Sequence, residues 1–110
     1  MFQVVKRDGE LDEFKMVKIT AAIDKAFDAK GKNYSPDMID LLGLRVTADF
    51  QNKIENNRIS VEDIQDSVER VLGQAGYEEV AKAYILYRKQ REKMRAMKST
   101  ILDYKDVVNS

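Results

Sequence analysis

The apolar residues of this chain repeat at two different spacings, which separate a short amino-terminal segment from a long remainder. Phe2 to Val5 and Glu10 to Phe14 are short runs of the kind that forms β-strands. Arg7-Asp8-Gly9 lies between them and supplies a turn, because glycine readily adopts a positive φ. The pattern predicts a β-hairpin whose second strand turns Leu11 and Phe14 inward.

From about Lys15 the apolar spacing becomes helical. The first predicted helix stops at Gly31, and the second begins at Ser35-Pro36, a side-chain cap followed by proline at the first helical position. Gly43, inside the second helix, predicts a close helix crossing, since glycine there costs about 1 kcal/mol relative to alanine. The predicted apolar faces are Met16, Ile19, Ile23, Ala26 and Phe27 in the first helix, and Ile39, Leu42, Val46, Phe50 and Ile54 in the second, which extends to about Glu55.

The second half of the chain carries one more short strand and two more helices. Ser60 precedes an apolar helical pattern by one residue and is predicted to cap its amino end. The remaining predicted elements are a turn at Asn56-Asn57, a strand at Arg58-Ile59, a third helix ending at Gly76, a fourth helix from about Tyr77 to Lys98, and a short mixed tail over 99–110.

Length and composition narrow the possible functions. The 110 residues correspond to one domain, and the absence of Cys and His excludes disulfides, thiolate metal sites and catalytic triads. No apolar run approaches 18 residues, and the amino end lacks a signal-peptide pattern. We therefore expect a cytoplasmic protein without a membrane partner.

The net charge of zero hides a segregation of charge along the chain. Residues 32–81 contain 5 cations and 10 anions, whereas residues 82–98 contain 7 cations and one anion, Glu92. The basic stretch is typical of a solvated helix face. It also leaves open a second interpretation, a helical interaction domain that binds nucleic acid.

The hairpin and the helix that follows it carry the strongest chemical signal. Lys6 precedes the predicted turn, Arg7 begins it, and Lys18 lies on the first turns of the next helix. If the hairpin folds over that helix, the three cations converge, and such a cluster favours a bound anion, usually phosphate. An ordinary exposed turn with charged tips is the alternative.

The residues around this cluster have equally open interpretations. Val5, Phe14 and Ile19 would be core residues or the walls of a slot for a flat base. Acidic residues in the hairpin, Asp8, Asp12 and Glu13, could hold Mg²⁺ together with phosphates. The chain contains neither a G-x-x-x-x-G-K-[ST] loop nor a G-x-G-x-x-G motif, and no residue set resembles a catalytic site.

Three segments in order, VVKRDGELDEFKMVKITAAIDKAF, ISVEDIQDSVERVL and YEEVAKAYILYRKQR, resemble the ATP-cone family over about residues 3–92. The family is the regulatory nucleotide-binding domain at the amino end of many ribonucleotide reductases, and it also occurs in a bacterial repressor of their genes. The resemblance implies an α+β, mostly helical fold, with a four-helix body capped by a small three-stranded sheet. It also implies ATP and dATP as competing ligands.

The resemblance also assigns roles to individual residues. It implies that Lys6, Arg7 and Lys18 bind phosphates and that Val5, Phe14 and Ile19 line the adenine slot. It implies that Asp12 and Glu13 bind the adenine amino group and that Gln65 contacts the sugar. The remaining implied contacts are Lys15, where several relatives have an uncharged polar residue, and Arg88 and Lys89 on the last helix.

For the whole protein, the resemblance implies a regulatory part of an oxidoreductase rather than an enzyme by itself. The KSTILDYKDVV tail is similar to the run into a reductase catalytic domain, and the sequence as a whole most resembles anaerobic, glycyl-radical reductases. We therefore expect an ATP-cone over 1–98, a linker over 99–110, a reductase catalytic domain as partner and a nucleotide-dependent homo-oligomer. A cone from a transcriptional regulator is the alternative within the family; Mg²⁺ would accompany the phosphates, and no protein metal site is expected.

Overall fold

The computed structural model describes the backbone of residues 2–109 and the side chains of residues 2–94. Its elements are β1 (Gln3–Val5), β2 (Leu11–Glu13), α1 (Met16–Ala29), α2 (Pro36–Asp49), a 3₁₀ turn (Gln51–Lys53), β3 (Arg58–Ser60), α3 (Val61–Gln74) and α4 (Glu78–Asn109). Four helices and one three-stranded sheet confirm the expected mostly helical α+β fold.

The sheet has the order β2-β1-β3, with β1 antiparallel to β2 and parallel to β3. The predicted third strand is thus confirmed, and it gives the hairpin a second ladder, without which two strands would be marginal. Asn56 and Asn57, with φ of 52° and 58°, form the tight turn before β3, because asparagine tolerates the left-handed region. The Gln3 N–H donates to the Asn57 carbonyl at 2.8 Å and ties this turn to β1.

Two serine caps and two glycines set most of the helix boundaries, as predicted. The Ser35 hydroxyl accepts from the Met38 N–H at 3.2 Å, and the Ser60 hydroxyl accepts from the Asp63 N–H at 3.1 Å. These bonds satisfy backbone donors that have no partner within the helix. Gly31 and Gly76, which follow α1 and α3, have φ of 61° and 89°.

The core lies between the four helices and the inner face of the sheet. Phe27 and Phe50 are completely buried at its centre. The helices α1 and α2 cross at Gly43, where a Cβ atom would lie 2.9 Å from Thr20 Cγ2 and 3.2 Å from Met16 Sδ. The predicted close crossing at this glycine is confirmed.

Three expectations about the elements were wrong. The helix predicted to reach Glu55 ends at Asp49, because Phe50 turns into the core and the chain tightens into the 3₁₀ turn that leads back to the sheet. The fourth helix does not end near Lys98 but continues to Asn109, since no glycine or proline interrupts the sequence after Gly76. Leu11 is 43% exposed rather than inward-facing.

No helix among the residues that the structure describes is both long enough and apolar enough to cross a membrane.

Candidate functional site

The hairpin turn carries two cations, Lys6 and Arg7, and is closed by hydrogen bonds. The Lys6 N–H donates to the Glu10 carbonyl at 2.8 Å, and the Gly9 N–H donates to the Lys6 carbonyl at 2.9 Å. Asp8 serves the turn itself, because its carboxylate accepts from the Glu10 N–H at 3.0 Å. Gly9 has a φ of 87°, which explains why glycine stands there. These hydrogen bonds close the turn that carries Lys6 and Arg7.

Lys6 and Lys18 converge on one carboxylate, that of Asp12. The Lys18 ammonium lies 3.0 Å and the Lys6 ammonium 3.8 Å from Asp12 Oδ2. The hydrogen bond from Lys18, then that from the Glu13 N–H, and the nearby positive charges lower the pKa of Asp12. Two amines from separate elements around one anionic group form a site that a phosphate could occupy.

The strand alternation separates the two acidic residues of β2. Asp12 is paired with Val4, which packs against the core, whereas Glu13 is exposed on the opposite face. Val5 is also turned away from Val4, and it lines a shallow outer depression with Arg58 and Ser60. The structure thus brings Asp12 to the lysines but does not bring Glu13 or Val5 to them.

The same alternation explains the exposure of Leu11. This residue pairs with Val5 on the outer face, so the inward position of β2 belongs to Asp12. A polar side chain therefore takes the place at which the sequence pattern predicted an apolar one.

Arg7 pairs with carboxylates of the helical body, whereas Lys6 and Lys18 share Asp12. The Arg7 guanidinium forms ion pairs with Glu62, at 3.7 Å in the first turn of α3, and with Glu92 on α4. Arg7 therefore links the hairpin to two helices of the body, and the predicted convergence of three cations includes only Lys6 and Lys18.

The apolar residues predicted as slot walls pack into the protein. Ile19 is 6% exposed and belongs to the core. Phe14 is half-buried in an aromatic group with Phe2 and Phe50, at ring-centroid distances of 4.5 and 5.8 Å respectively. Both positions are consistent with the ordinary core interpretation of these residues.

Gln65 presents a buried acceptor without a partner. Its Oε1 is inaccessible to solvent and accepts no hydrogen bond from the side chains and backbone that the structure describes, and the residue lies one helical turn from Glu62 on α3. Such an acceptor is costly unless a further donor reaches it. A ligand hydroxyl would satisfy it.

The two predicted contacts on α4 differ in environment. The Arg88 side chain is only 18% exposed and pairs with Asp66 at 3.4 Å and with Glu69. Burial works to lower the pKa of Arg88, but the hydrogen bond from its guanidinium to Glu69 and the surrounding charges outweigh this and raise it. Lys89 is exposed beside it, and Lys15 is exposed just before α1.

The basic stretch over 82–98 is partly neutralised within the protein. Lys82 lies 3.5 Å from Glu79, and Arg91 lies over the Tyr87 ring, 5.8 Å from its centroid. The ion pairs of Lys82 and Arg88 offset part of the positive charge of the stretch, and the ring contact of Arg91 leaves its charge unchanged. The side chains of Arg95 and Lys98 lie outside the described residues.

Sequence reasoning missed the acidic partners of the two arginines. Glu62, Asp66 and Glu69 recur at helical spacing on α3, and this periodicity could have indicated a face that receives cations. Glu92 is the single anion of the basic stretch, and this isolated charge could likewise have indicated the position of an ion pair.

No group of three or more His, Cys, Asp or Glu side chains is placed to hold a metal ion within the described part of the chain. The donors at the hairpin are instead two ammonium groups and a guanidinium, with one buried acceptor on α3. Such groups bind and orient an anion. They define a small α+β domain with a cationic hairpin mounted on a helical body.

Comparison with known proteins identifies the family. The ATP cone domain matches residues 2–93, and the chain belongs to this family. It is 40% identical over 101 residues to a ribonucleoside-diphosphate reductase subunit alpha of Chlamydia pneumoniae, covering 86% of this chain and 10% of that protein. It is 42% identical over 101 residues to a vitamin B12-dependent ribonucleoside-diphosphate reductase of Thermoplasma acidophilum, covering 87% and 13% respectively.

A third relative is the anaerobic ribonucleoside-triphosphate reductase of Haemophilus influenzae. It is 35% identical over 103 residues, which are 91% of this chain and 14% of that protein. The chain is therefore homologous to parts of ribonucleotide reductases, and it spans 10–14% of the length of these three relatives.

Proposed function

We propose that this domain binds ATP or dATP between the hairpin and α1, and that binding regulates the ribonucleotide reductase to which the domain belongs. The observation that carries the proposal is the approach of the Lys6 and Lys18 ammonium groups to a single carboxylate. Like charges on separate elements approach each other where an anion lies between them. A triphosphate would take the place that Asp12 holds beside the two ammonium groups.

The proposed roles follow the positions of the residues. Lys6, Lys18 and Arg7 bind the phosphates, and Asp12, once released by the lysines, accepts from the adenine amino group. The buried Gln65 Oε1 accepts from a sugar hydroxyl. Lys15 and Lys89 are exposed cations that add to the positive field, whereas Arg88 acts through α3, since two carboxylates hold it.

Other predicted contacts are weaker parts of the proposal. Glu13 and Val5 face away from the lysines, so they would contact a nucleotide only after a rearrangement of β2 or β1. Phe14 and Ile19 belong to or pack against the core, and they would contact the adenine base at the edge of that core. Mg²⁺ would accompany the phosphates.

Nucleotide binding is tested by the melting temperature with ATP or dATP. A ligand at a hundredfold excess over its dissociation constant stabilises the native state by about 2.7 kcal/mol, which for this chain length raises Tm by roughly 10 °C. Lys6→Glu and Lys18→Glu should abolish the shift without unfolding the protein. Lys32→Glu, in the exposed connection between α1 and α2, is the matched control. An unchanged response in both site variants would contradict the assignment.

Regulation is tested in the full-length reductase. Lys18→Glu should remove the effect of ATP and dATP on turnover while leaving activity without nucleotide intact. A mass measurement in solution with each nucleotide tests the proposed homo-oligomer. The anaerobic class stays a prediction, because the relatives include diphosphate, vitamin B12-dependent and anaerobic reductases.

Nucleic-acid binding through the basic stretch is the alternative. It predicts a gel shift that weakens steeply with salt, in a protein that free nucleotide does not stabilise. If the domain belongs instead to a transcriptional regulator, ATP or dATP should stabilise it but should have no effect on a reductase.

A further inference from the structure

Two carboxylates from different helices form ion pairs with Arg7. Glu62 approaches its Nε at 3.7 Å, and Glu92 pairs with one of its terminal nitrogens. The guanidinium therefore uses both of its edges on carboxylates. Among residues 2–94, no other ion pair or side-chain hydrogen bond joins the tip of the hairpin to α3 or α4.

These ion pairs are of the kind that a phosphate can replace. The Glu62 and Glu92 side chains are 61% and 52% exposed, so water already solvates them and their net contribution is small. The Arg7 side chain is less exposed, at 29%. A phosphate offers a guanidinium stronger, bidentate hydrogen bonds than an exposed carboxylate does.

We propose that Glu62 and Glu92 determine the nucleotide affinity of the site by competing with phosphate for Arg7. This inference rests on the proposed binding of ATP or dATP at the hairpin. When a nucleotide binds, Arg7 leaves the carboxylates, and the ion pairs that fasten the hairpin to α3 and α4 are lost. The two glutamates act through Arg7 and do not touch the nucleotide.

The exchange gives nucleotide binding a route to the rest of the protein. Glu92 lies within α4, which continues as one helix to Asn109. Breaking the contact between Arg7 and Glu92 separates the hairpin from this helix. By thermodynamic reciprocity, any partner that favours the separated arrangement also raises nucleotide affinity.

The test is calorimetric titration of ATP into the parent, Glu62→Gln, Glu92→Gln and the double variant. Each single change should tighten binding about two- to five-fold, the value of an exposed ion pair. Glu79→Gln is the matched control, because Glu79 lies in the first turn of α4 and pairs with Lys30 and Lys82 rather than with Arg7. The affinity of the Glu79→Gln variant for ATP should equal that of the parent.

A second set of variants separates competition for Arg7 from a general loss of negative charge. In an Arg7→Gln background, Glu92→Gln should no longer tighten binding, since the residue it competes for is absent. A gain that persists without Arg7, or no gain in the parent background, would overturn the inference while leaving the proposed function intact. If the parent itself binds neither ATP nor dATP, the proposed function fails, and this inference fails with it.

Discussion

Replacing Gly43 by alanine measures how tightly α1 and α2 are packed. Helix propensity alone favours the change by about 1 kcal/mol. The new methyl group, however, would lie 2.9 Å from Thr20 Cγ2 and 3.2 Å from Met16 Sδ. Met16 is long and flexible and can move, so the decisive neighbour is Thr20.

Thr20 cannot yield cheaply. It is β-branched, and its hydroxyl donates to the Val17 carbonyl at 3.2 Å and to the Met16 carbonyl at 3.4 Å, which fixes χ1. Overpacking of this kind costs about 1–3 kcal/mol. After the gain in propensity is subtracted, we expect Gly43→Ala to destabilise the protein by about 1 kcal/mol and to lower Tm by about 4 °C.

Thermal and urea unfolding followed by circular dichroism provide the measurement. Gly73→Ala is the control: this glycine also lies in a helix, and an added Cβ there meets nothing within 4 Å, so the variant should be more stable than the parent. Thr20→Ser removes Cγ2 but keeps the hydroxyl, and it should recover most of the loss caused by Gly43→Ala. If Gly43→Ala stabilised the protein as Gly73→Ala does, the close crossing would be refuted.

Three further changes test other parts of the fold. Ser35→Ala removes the acceptor for the Met38 N–H and should lower the free energy of unfolding in urea by about 1 kcal/mol. An unchanged urea midpoint would show that the cap does not stabilise α2. The hydrogen bonds from Arg70, at 3.0 and 2.7 Å, lower the pKa of Asp49, so this pair stabilises the protein above the ordinary carboxyl pKa of 3.8 and ceases to do so as pH falls through the lowered value. Asp49→Asn should therefore lower Tm at pH 7 but leave it near that of the parent at the lowest pH, and an equal loss at both would exclude the pair as the cause. Leu11→Ser should change the free energy of unfolding by less than about 0.5 kcal/mol, because Leu11 is exposed. A loss as large as that of a core residue would show that Leu11 is buried.

The sequence predicts the elements of this fold well because their signals are local. Ser35-Pro36, Ser60 and the positive-φ glycines act within one turn of the helices they begin or end. The end of α2 was missed because Phe50 breaks the helix for a tertiary reason, its burial in the core. Leu11 was misplaced because strand register, rather than hydrophobicity, decides which residue of β2 faces inward.

The candidate site was predictable as a set of residues but not as an arrangement. Lys6 and Lys18 meet at Asp12, because Asp12 lies in the same hairpin as Lys6 and only six residues before Lys18. The partners of Arg7 and Arg88 come from α3 and α4, up to 85 residues away in the case of Arg7 and Glu92. Helical periodicity can show that Glu62, Asp66 and Glu69 share a face, but only the packing of the helices decides which arginine meets which carboxylate.

The position of β1 has a consequence for how the molecule is assembled. The first strand of the chain is the middle strand of the sheet, and its parallel partner is Arg58–Ser60. During synthesis the hairpin can form early, but its second ladder must wait until that distant segment has emerged. Closing so long a loop is entropically slow compared with forming a helix. Removing the first five residues would therefore dissolve both ladders at once, whereas trimming the far end of α4 would leave the sheet intact.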